Sequence, residues 1–189
     1  MTRSRKPISY ALSPLVLCLI APLSHANQLD ADLNNETLHV AYTATESSKS
    51  VDLSAGVILT EDNGEAFYAS AITNGQLLSH SNIQGGFGGK VYYFATDQGD
   101  DFQSLLFGGV LRLTIPEVEG LSAEAGMFYG PGVTTSGDPD NVKDFSLKVR
   151  YQGFENASVY VGFRDIQANY DGNDFSFEDG LHLGFSLDL

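Results

Sequence analysis

The sequence is short of several features on which common protein classes depend. Its one cysteine is Cys18, and after residue 26 it has neither an apolar run of the ~20 residues that a membrane-spanning helix needs nor any extended helical periodicity. A domain formed by residues 27–189 can therefore contain no disulfide and no cysteine-based site. If this domain crosses a membrane, it must do so as a closed β-barrel, because only a barrel satisfies the backbone groups of strands in lipid.

Basic residues are also scarce. After residue 26, seven Lys and Arg side chains stand against 24 Asp and Glu side chains, which gives a formal net charge of −17. Such a surface repels phosphate groups, so a role in binding DNA or RNA is disfavoured.

The N-terminus has the pattern of a secretory signal peptide. Arg3, Arg5 and Lys6 form a basic start, an apolar stretch follows over 10–23, and Ser24-His25-Ala26 supplies small residues at its first and third positions. We therefore predict export by the general secretory route, with residues 1–26 removed and a single mature domain over 27–189.

Two other readings of the N-terminus are weaker. An uncleaved anchor is disfavoured because the apolar stretch is shorter than a spanning helix. Lipoprotein processing at Cys18 needs a small residue before the cysteine, where the sequence has Leu17.

Period-two alternation of apolar and polar residues, broken by clusters of Gly, Asn, Asp and Ser, runs through the rest of the chain. In 145–152, for example, Phe145, Leu147, Val149 and Tyr151 alternate with polar residues. Nine segments fit the pattern to different degrees: 38–45, 52–60, 66–73, 83–95, 104–115, 121–129, 145–152, 158–164 and 181–189. We predict an all-β fold, an antiparallel transmembrane β-barrel.

The number of strands in the barrel needs a separate argument, because nine segments fit the pattern. Single-chain bacterial barrels have even numbers of strands. We predict eight, with either 38–45 or 66–73 outside the barrel or merged with a neighbour; a tenth strand without a clear pattern is the alternative.

Alternation alone also fits a soluble barrel with an apolar core, and three features favour lipid on the apolar side instead. Five basic residues lie on the polar faces of strands. Several glycines share those faces, where small residues make room for long neighbours inside a narrow barrel. Finally, tyrosines end apolar faces, as in the aromatic girdles of outer-membrane barrels: Tyr42, Tyr93, Tyr129 and Tyr151.

Connection lengths and charges suggest an orientation. The junctions at 116–120 and 153–156 are short, whereas those at 131–143 and 167–177 are predicted to be long, as expected for periplasmic turns and external loops. Much of the acidic charge falls in the long connections, so we expect it at the outer rim.

Charged residues on the polar faces are predicted to meet inside the barrel. Buried charges must be paired, so we interpret them first as a structural network that fills a packed polar lumen; an anion-preferring narrow channel is the alternative. The predicted network consists of Lys90, Arg112, Glu124, Lys148, Arg150, Arg164 and Asp188, with Asp52 nearby.

The last strand resembles the terminal signal that the barrel-assembly machinery of outer membranes recognises. The pattern is His182-x-Gly184-x-x-Leu187-x-Leu189, which departs from the common form by ending in Leu189 instead of Phe. The resemblance implies the assembly machinery as a partner.

A broader resemblance covers the mature chain, which is similar to the YfaZ family of outer-membrane proteins. The motifs are Gly85-Gly86-x-Gly88-Gly89-Lys90-Val91-Tyr92, Ala123-Glu124-Ala125 with Tyr129 and Pro131, Leu147-x-Val149-Arg150-Tyr151, and Val161-Gly162-Phe163-Arg164. The resemblance implies a signal peptide and an outer-membrane barrel in a Gram-negative bacterium. It implies no enzymatic activity.

No catalytic or metal site stands out. His80-Ser81-Asn82 lacks the spacing of lipid deacylases, His39 and His182 fit polar packing better than proton transfer, and the acidic segment 171–179 lacks the spacing of a calcium loop. We predict no cofactor and no catalysis, with outer-membrane lipids and lipopolysaccharide as partners in a structural or surface-interaction role. The alternatives are a narrow channel, a lipid-A-modifying enzyme and a soluble periplasmic binding barrel.

Overall fold

The chain forms a single antiparallel sheet. The structure, a computed structural model, describes residues 26–46, 50–77, 82–97 and 101–189. The strands are β1 Ala26–Leu33, β2 Thr37–Glu46, β3 Val51–Thr60, β4 Gly64–Gln76, β5 Ile83–Thr96, β6 Phe102–Thr114, β7 Leu121–Pro131, β8 Thr135–Ser136, β9 Asn141–Phe154, β10 Ala157–Tyr170 and β11 Asn173–Asp188. A short 3-10 helix, Gly132–Thr134, precedes β8. Within these ranges no helix is long and apolar enough to cross a membrane.

Ten of the strands close into a barrel, and β8 lies outside the ring. Successive barrel strands pair with one another, β7 pairs with β9, and β1 pairs with β11 to complete the closure. The two-residue β8 pairs only with the start of β6, through Gln103 and Ser104. The all-β barrel predicted from alternation is confirmed, but the predicted count of eight strands is wrong.

The miscount has two causes. The strand β1 escaped detection because its outward face carries only three apolar side chains, Leu29, Ala31 and Leu33, beside acidic inward residues. Segment 66–73 belongs to the barrel as part of β4, although its two faces differ little in polarity. The predicted signal peptide lies outside the described residues, apart from Ala26 at the start of β1.

The barrel has two distinct ends. The terminal end carries Ala26, Ser50, Leu77, Asn82, Leu189 and the connections 115–120 and 155–156. The distal end carries Asp97, Asp101 and the connections 34–36, 61–63, 132–140 and 171–172.

The outward face is apolar on every barrel strand. Successive side chains of a strand point alternately inward and outward. The outward positions between the two rims are mostly occupied by aliphatic or aromatic residues, alanine or glycine; Thr73 and Asp165 are polar exceptions beside Phe87 and Phe145. We call this surface the apolar belt. Its large exposed members include Leu38, Leu53, Phe67, Phe87, Val91, Leu105, Phe107, Leu111, Met127, Leu147, Val149, Val159, Val161, Leu181, Leu183 and Phe185.

The acidic segment near the C-terminus is a tight hairpin, so the predicted long connection over 167–177 is wrong. β10 and β11 continue to a two-residue turn at Asp171 and Gly172, both with positive φ (50° and 82°). Positive φ at both central residues is the geometry that matches the twist of paired strands. A β-bulge follows opposite Ile166, and it turns both Phe177 and Glu178 into the interior.

Candidate functional site

Inward glycines give the large interior side chains their room. A Cβ atom at Gly184 would overlap the ring of Tyr160, and one at Gly162 would overlap the ring of His182. Glycine on the inward face therefore sets how the aromatic and basic side chains lie across the wall.

The distal half of the interior is filled by apolar side chains. Phe94 is at its centre, with ring centroids of Phe102, Phe177 and Tyr92 at 4.4, 5.0 and 5.1 Å. Phe94, Phe102 and Phe177 are at most 3% exposed. The remaining buried members are Ile58, Ala66, Ile72, Leu106, Phe128, Val142, Ile166 and Ala168. We call this cluster the apolar plug.

A buried ionic cluster lies next to the plug. Arg164 donates to Asp32 at 3.2 Å and to Glu178 at 3.1 Å, and the two carboxylate side chains are each 1% exposed. The His39 Nδ1 atom lies 2.7 Å from Asp32 Oδ2, and its Nε2 atom lies 2.9 Å from Tyr68 Oη. This geometry fits Nδ1–H donating to the carboxylate while Nε2 accepts from the hydroxyl. The cluster pairs each of its charges, as burial requires.

The terminal half of the interior contains a polar cavity of about 640 Å³. It extends from mid-barrel to the rim, where Ser50, Gln76 and Thr114 line it and are themselves exposed. We call it the terminal cavity. The prediction of a lumen packed throughout with polar side chains is thus wrong in two respects, because the distal half contains the apolar plug and the terminal half contains open space.

Two separate ion-pair groups line this cavity. Lys90 Nζ lies 2.8 Å from Asp144 Oδ2, which also accepts from Tyr92 Oη at 2.8 Å. Elsewhere Arg112 donates through Nε to Glu124 at 2.6 Å. The same guanidinium lies 3.0 Å from Asp52 and donates to Asn74 at 2.8 Å.

A third group is richer in donors than in acceptors. Arg150 Nη2 lies 3.3 Å and Lys148 Nζ 3.9 Å from the same atom, Asp30 Oδ1. That oxygen also accepts hydrogen bonds from Gln28 and Ser186. One carboxylate therefore serves two cations here.

The structure brings together six of the seven residues of the predicted charge network. Lys90, Arg112, Glu124, Lys148, Arg150 and Arg164 all line the terminal cavity. Asp188 is exposed at the end of β11, apart from the cluster. Of the predicted C-terminal signal, His182 and Gly184 point inward, and Leu187 and Leu189 are 37% and 70% exposed.

Several partners of these cations were not predicted. They are Asp30, Asp32, Asp144 and Glu178. Asp30 and Asp32 lie on the strand that alternation did not reveal. Asp144 precedes the predicted segment 145–152 by one residue. It is two residues from Ser146 and four from Lys148, so the alternation could have placed it on the same inward face. Glu178 could not be placed inside from the sequence, because a β-bulge beside it shifts the alternation of inward and outward residues by one.

Two further candidate sites were already disfavoured by the sequence, a lipid-deacylase pair and a metal site. His80 and Ser81 lie outside the described residues. Among the described residues, no three His, Cys, Asp or Glu side chains are grouped so that they could hold a metal ion.

The fold and its interior define a closed ten-stranded barrel with an apolar exterior, and comparison with known proteins gives it a family. The chain belongs to the YfaZ family: the family described as YfaZ precursor matches residues 8–189, which confirms the resemblance carried by the motifs. No curated protein sequence matches the chain significantly.

Two solved structures are similar at low identity. One is the outer membrane channel DcaP of Acinetobacter baumannii, at 10% identity and a TM-score of 0.44, covering 85% of this chain and 54% of that one. The present chain thus spans about half the length of DcaP. The other comes from work on the in-meso crystallization of membrane proteins, at 13% identity and a TM-score of 0.40, covering 87% of this chain and 83% of that one.

Proposed function

We propose that the mature chain spans the outer membrane of a Gram-negative bacterium as a barrel that does not conduct ions, in a structural or surface-interaction role. The observation that carries the proposal is the apolar belt, which continues around all ten barrel strands. Exposed apolar patches of this extent are unusual on soluble monomers. A lipid environment removes the cost of exposing them.

The distribution of charge supports the same placement. Of the six basic side chains in the described part of the mature chain, only Lys143 lies outside, near the distal rim. The others line the terminal cavity: Lys90, Arg112, Lys148, Arg150 and Arg164. A basic side chain near the bilayer midplane costs about 2–4 kcal/mol on the lipid face of such a barrel. The belt avoids this cost.

The apolar plug supports a closed interior. A ten-stranded barrel is wider than an eight-stranded one, so its strands alone do not prevent conduction. Here the aromatic side chains of the plug fill the distal half and are nearly inaccessible to solvent. Ions that reach the terminal cavity therefore meet an apolar barrier.

The terminal end is proposed to face the periplasm. The longest described connection, 132–140, lies at the distal end, and outer-membrane barrels have their longer loops outside. In this orientation the lipids and lipopolysaccharide of the outer membrane surround the belt, and the barrel-assembly machinery recognises β11.

Gel mobility of isolated membrane fractions, with and without boiling, tests this proposal. A closed membrane barrel is expected in the outer-membrane fraction with a heat-dependent mobility, whereas a soluble binding barrel is expected in the periplasmic fraction. In planar bilayers we expect no steady current. Reproducible channel steps whose ion selectivity changes in Arg150→Glu would favour the narrow channel instead.

A further inference from the structure

Three basic side chains that line the terminal cavity lie around one buried aromatic ring. Lys148 and Arg150 on β9 and His182 on β11 flank Tyr160 on β10. Lys148 Nζ lies 4.2 Å from the centroid of the Tyr160 ring, Arg150 Cζ lies 5.8 Å from it, and the two aromatic centroids are 6.1 Å apart. Between Lys148 and His182 the register places Gly162, which has no side chain to separate them.

The two cations of this group have unused hydrogen-bond donors. Among the described residues, Lys148 makes no side-chain hydrogen bond, and its ion-pair partner Asp30 is at 3.9 Å. Arg150 donates a single hydrogen bond, also to Asp30. Glu124 lies opposite Lys148 in the register, but its carboxylate accepts from Arg112 at 2.6 Å. The remaining N–H groups of Lys148 and Arg150 are therefore available to a ligand with acceptor oxygens.

His182 gives a second and independent indication that a ligand binds in the terminal cavity. It is 3% exposed and lines the cavity, yet neither of its ring nitrogens has a side-chain hydrogen-bond partner in the described part of the chain. Buried polar side chains almost always have a partner. A ligand in the adjoining cavity would supply one.

We propose that Lys148, Arg150 and His182 form a binding site for the oxyanion group, a carboxylate or a phosphate, of a small solute that enters from the terminal end. The planar guanidinium of arginine and the ammonium of lysine are the usual recognition groups for such anions. The cavity, at about 640 Å³, is within the range of small-molecule sites. The site requires a folded barrel but not a membrane location, so its test is separate from that of the proposed function.

The test uses the refolded mature chain in detergent, with its histidines labelled by ¹⁵N and followed by NMR. Inorganic phosphate and succinate are titrated as two separate probes. We expect at least one probe to shift the His182 ring resonances saturably, with smaller effects on His39. His182→Gln assigns the resonances. Saturation by phosphate alone identifies a phosphate site, and saturation by succinate alone identifies a carboxylate site.

Matched variants locate the binding at these side chains. Arg150→Gln and Lys148→Gln are each expected to weaken binding roughly tenfold, as for loss of a charge-assisted hydrogen bond. Lys143→Gln, on the outward face of the same strand, should leave it unchanged. The proposal is overturned if neither probe saturates on the wild-type chain, a result that needs no variant to fold. It is also overturned if Lys143→Gln weakens binding as much as Arg150→Gln.

Discussion

In the distal half of the barrel, Phe94 and Phe102 are at most 3% exposed, whereas in the terminal half the side chains of Arg112 and Glu124 are each 33% exposed to solvent. The same strands build both halves. On β6 the inward positions run from Phe102 through Leu106 to Arg112, so the interior changes from apolar to charged along one strand. Period two decides which side chains point inward, but composition along each strand decides where the interior admits water.

The largest expected effect concerns the closure that both halves share. Removal of residues 181–189 takes away half of β11, including every residue of this strand that pairs with β1. Unpaired backbone groups in hydrocarbon cost several kcal/mol each, so we expect no heat-modifiable barrel in the membrane fraction. Leu189→Phe, as the control, should assemble as the wild type does. A truncated chain that accumulates as folded, soluble protein would contradict the account.

The next largest effect is expected for the buried ionic cluster of Arg164, Asp32 and Glu178, between the apolar plug and the terminal cavity. Arg164→Met leaves Asp32 and Glu178 without their cation, and breaking a buried pair in this way typically costs about 3–5 kcal/mol. Denaturant unfolding in detergent measures the change. The matched variant Arg112→Met, in the water-accessible half, should be clearly milder. Equal losses would show that burial does not distinguish the two arginines.

The plug itself should be sensitive to volume. Phe94→Ala removes a fully buried ring that contacts three other aromatic rings, and such a change costs roughly 3–5 kcal/mol. Ser54→Ala, in the lining of the terminal cavity, should change the free energy of unfolding by less than about 1 kcal/mol, since it loses one hydrogen bond to Thr43. If both variants unfold alike, the plug is not the packed half of the interior.

The smallest of these effects compares inside with outside. Val149→Arg puts a charge in the apolar belt and should cost about 2–4 kcal/mol in lipid. Its neighbour Lys148→Leu changes an inward residue and should be milder. Folding yield into lipid vesicles reports both. Equal effects would reverse the assignment of the two faces.

The sequence predicted the barrel and its two faces because period two is a local property. It placed six network residues inside for the same reason. It could not predict the apolar plug. Phe94 and Phe102 lie at the distal ends of β5 and β6, and the other inward residues of these strands include glycine, lysine and arginine, so the inward face was interpreted as polar. Closure of ten strands and the bulge at Phe177 depend on pairing between distant segments, which alternation does not encode.

Single thiols in the mature chain, which has no native cysteine, test the central claim most directly. Ser54→Cys lies in the terminal cavity, Ala168→Cys in the plug and Val161→Cys in the belt. With the protein in lipid vesicles, a water-soluble, membrane-impermeant maleimide should label Ser54→Cys and leave the other two unlabelled until the chain is unfolded. Labelling of Val161→Cys in the folded protein would contradict a belt in lipid, and labelling of Ala168→Cys would contradict a closed distal half.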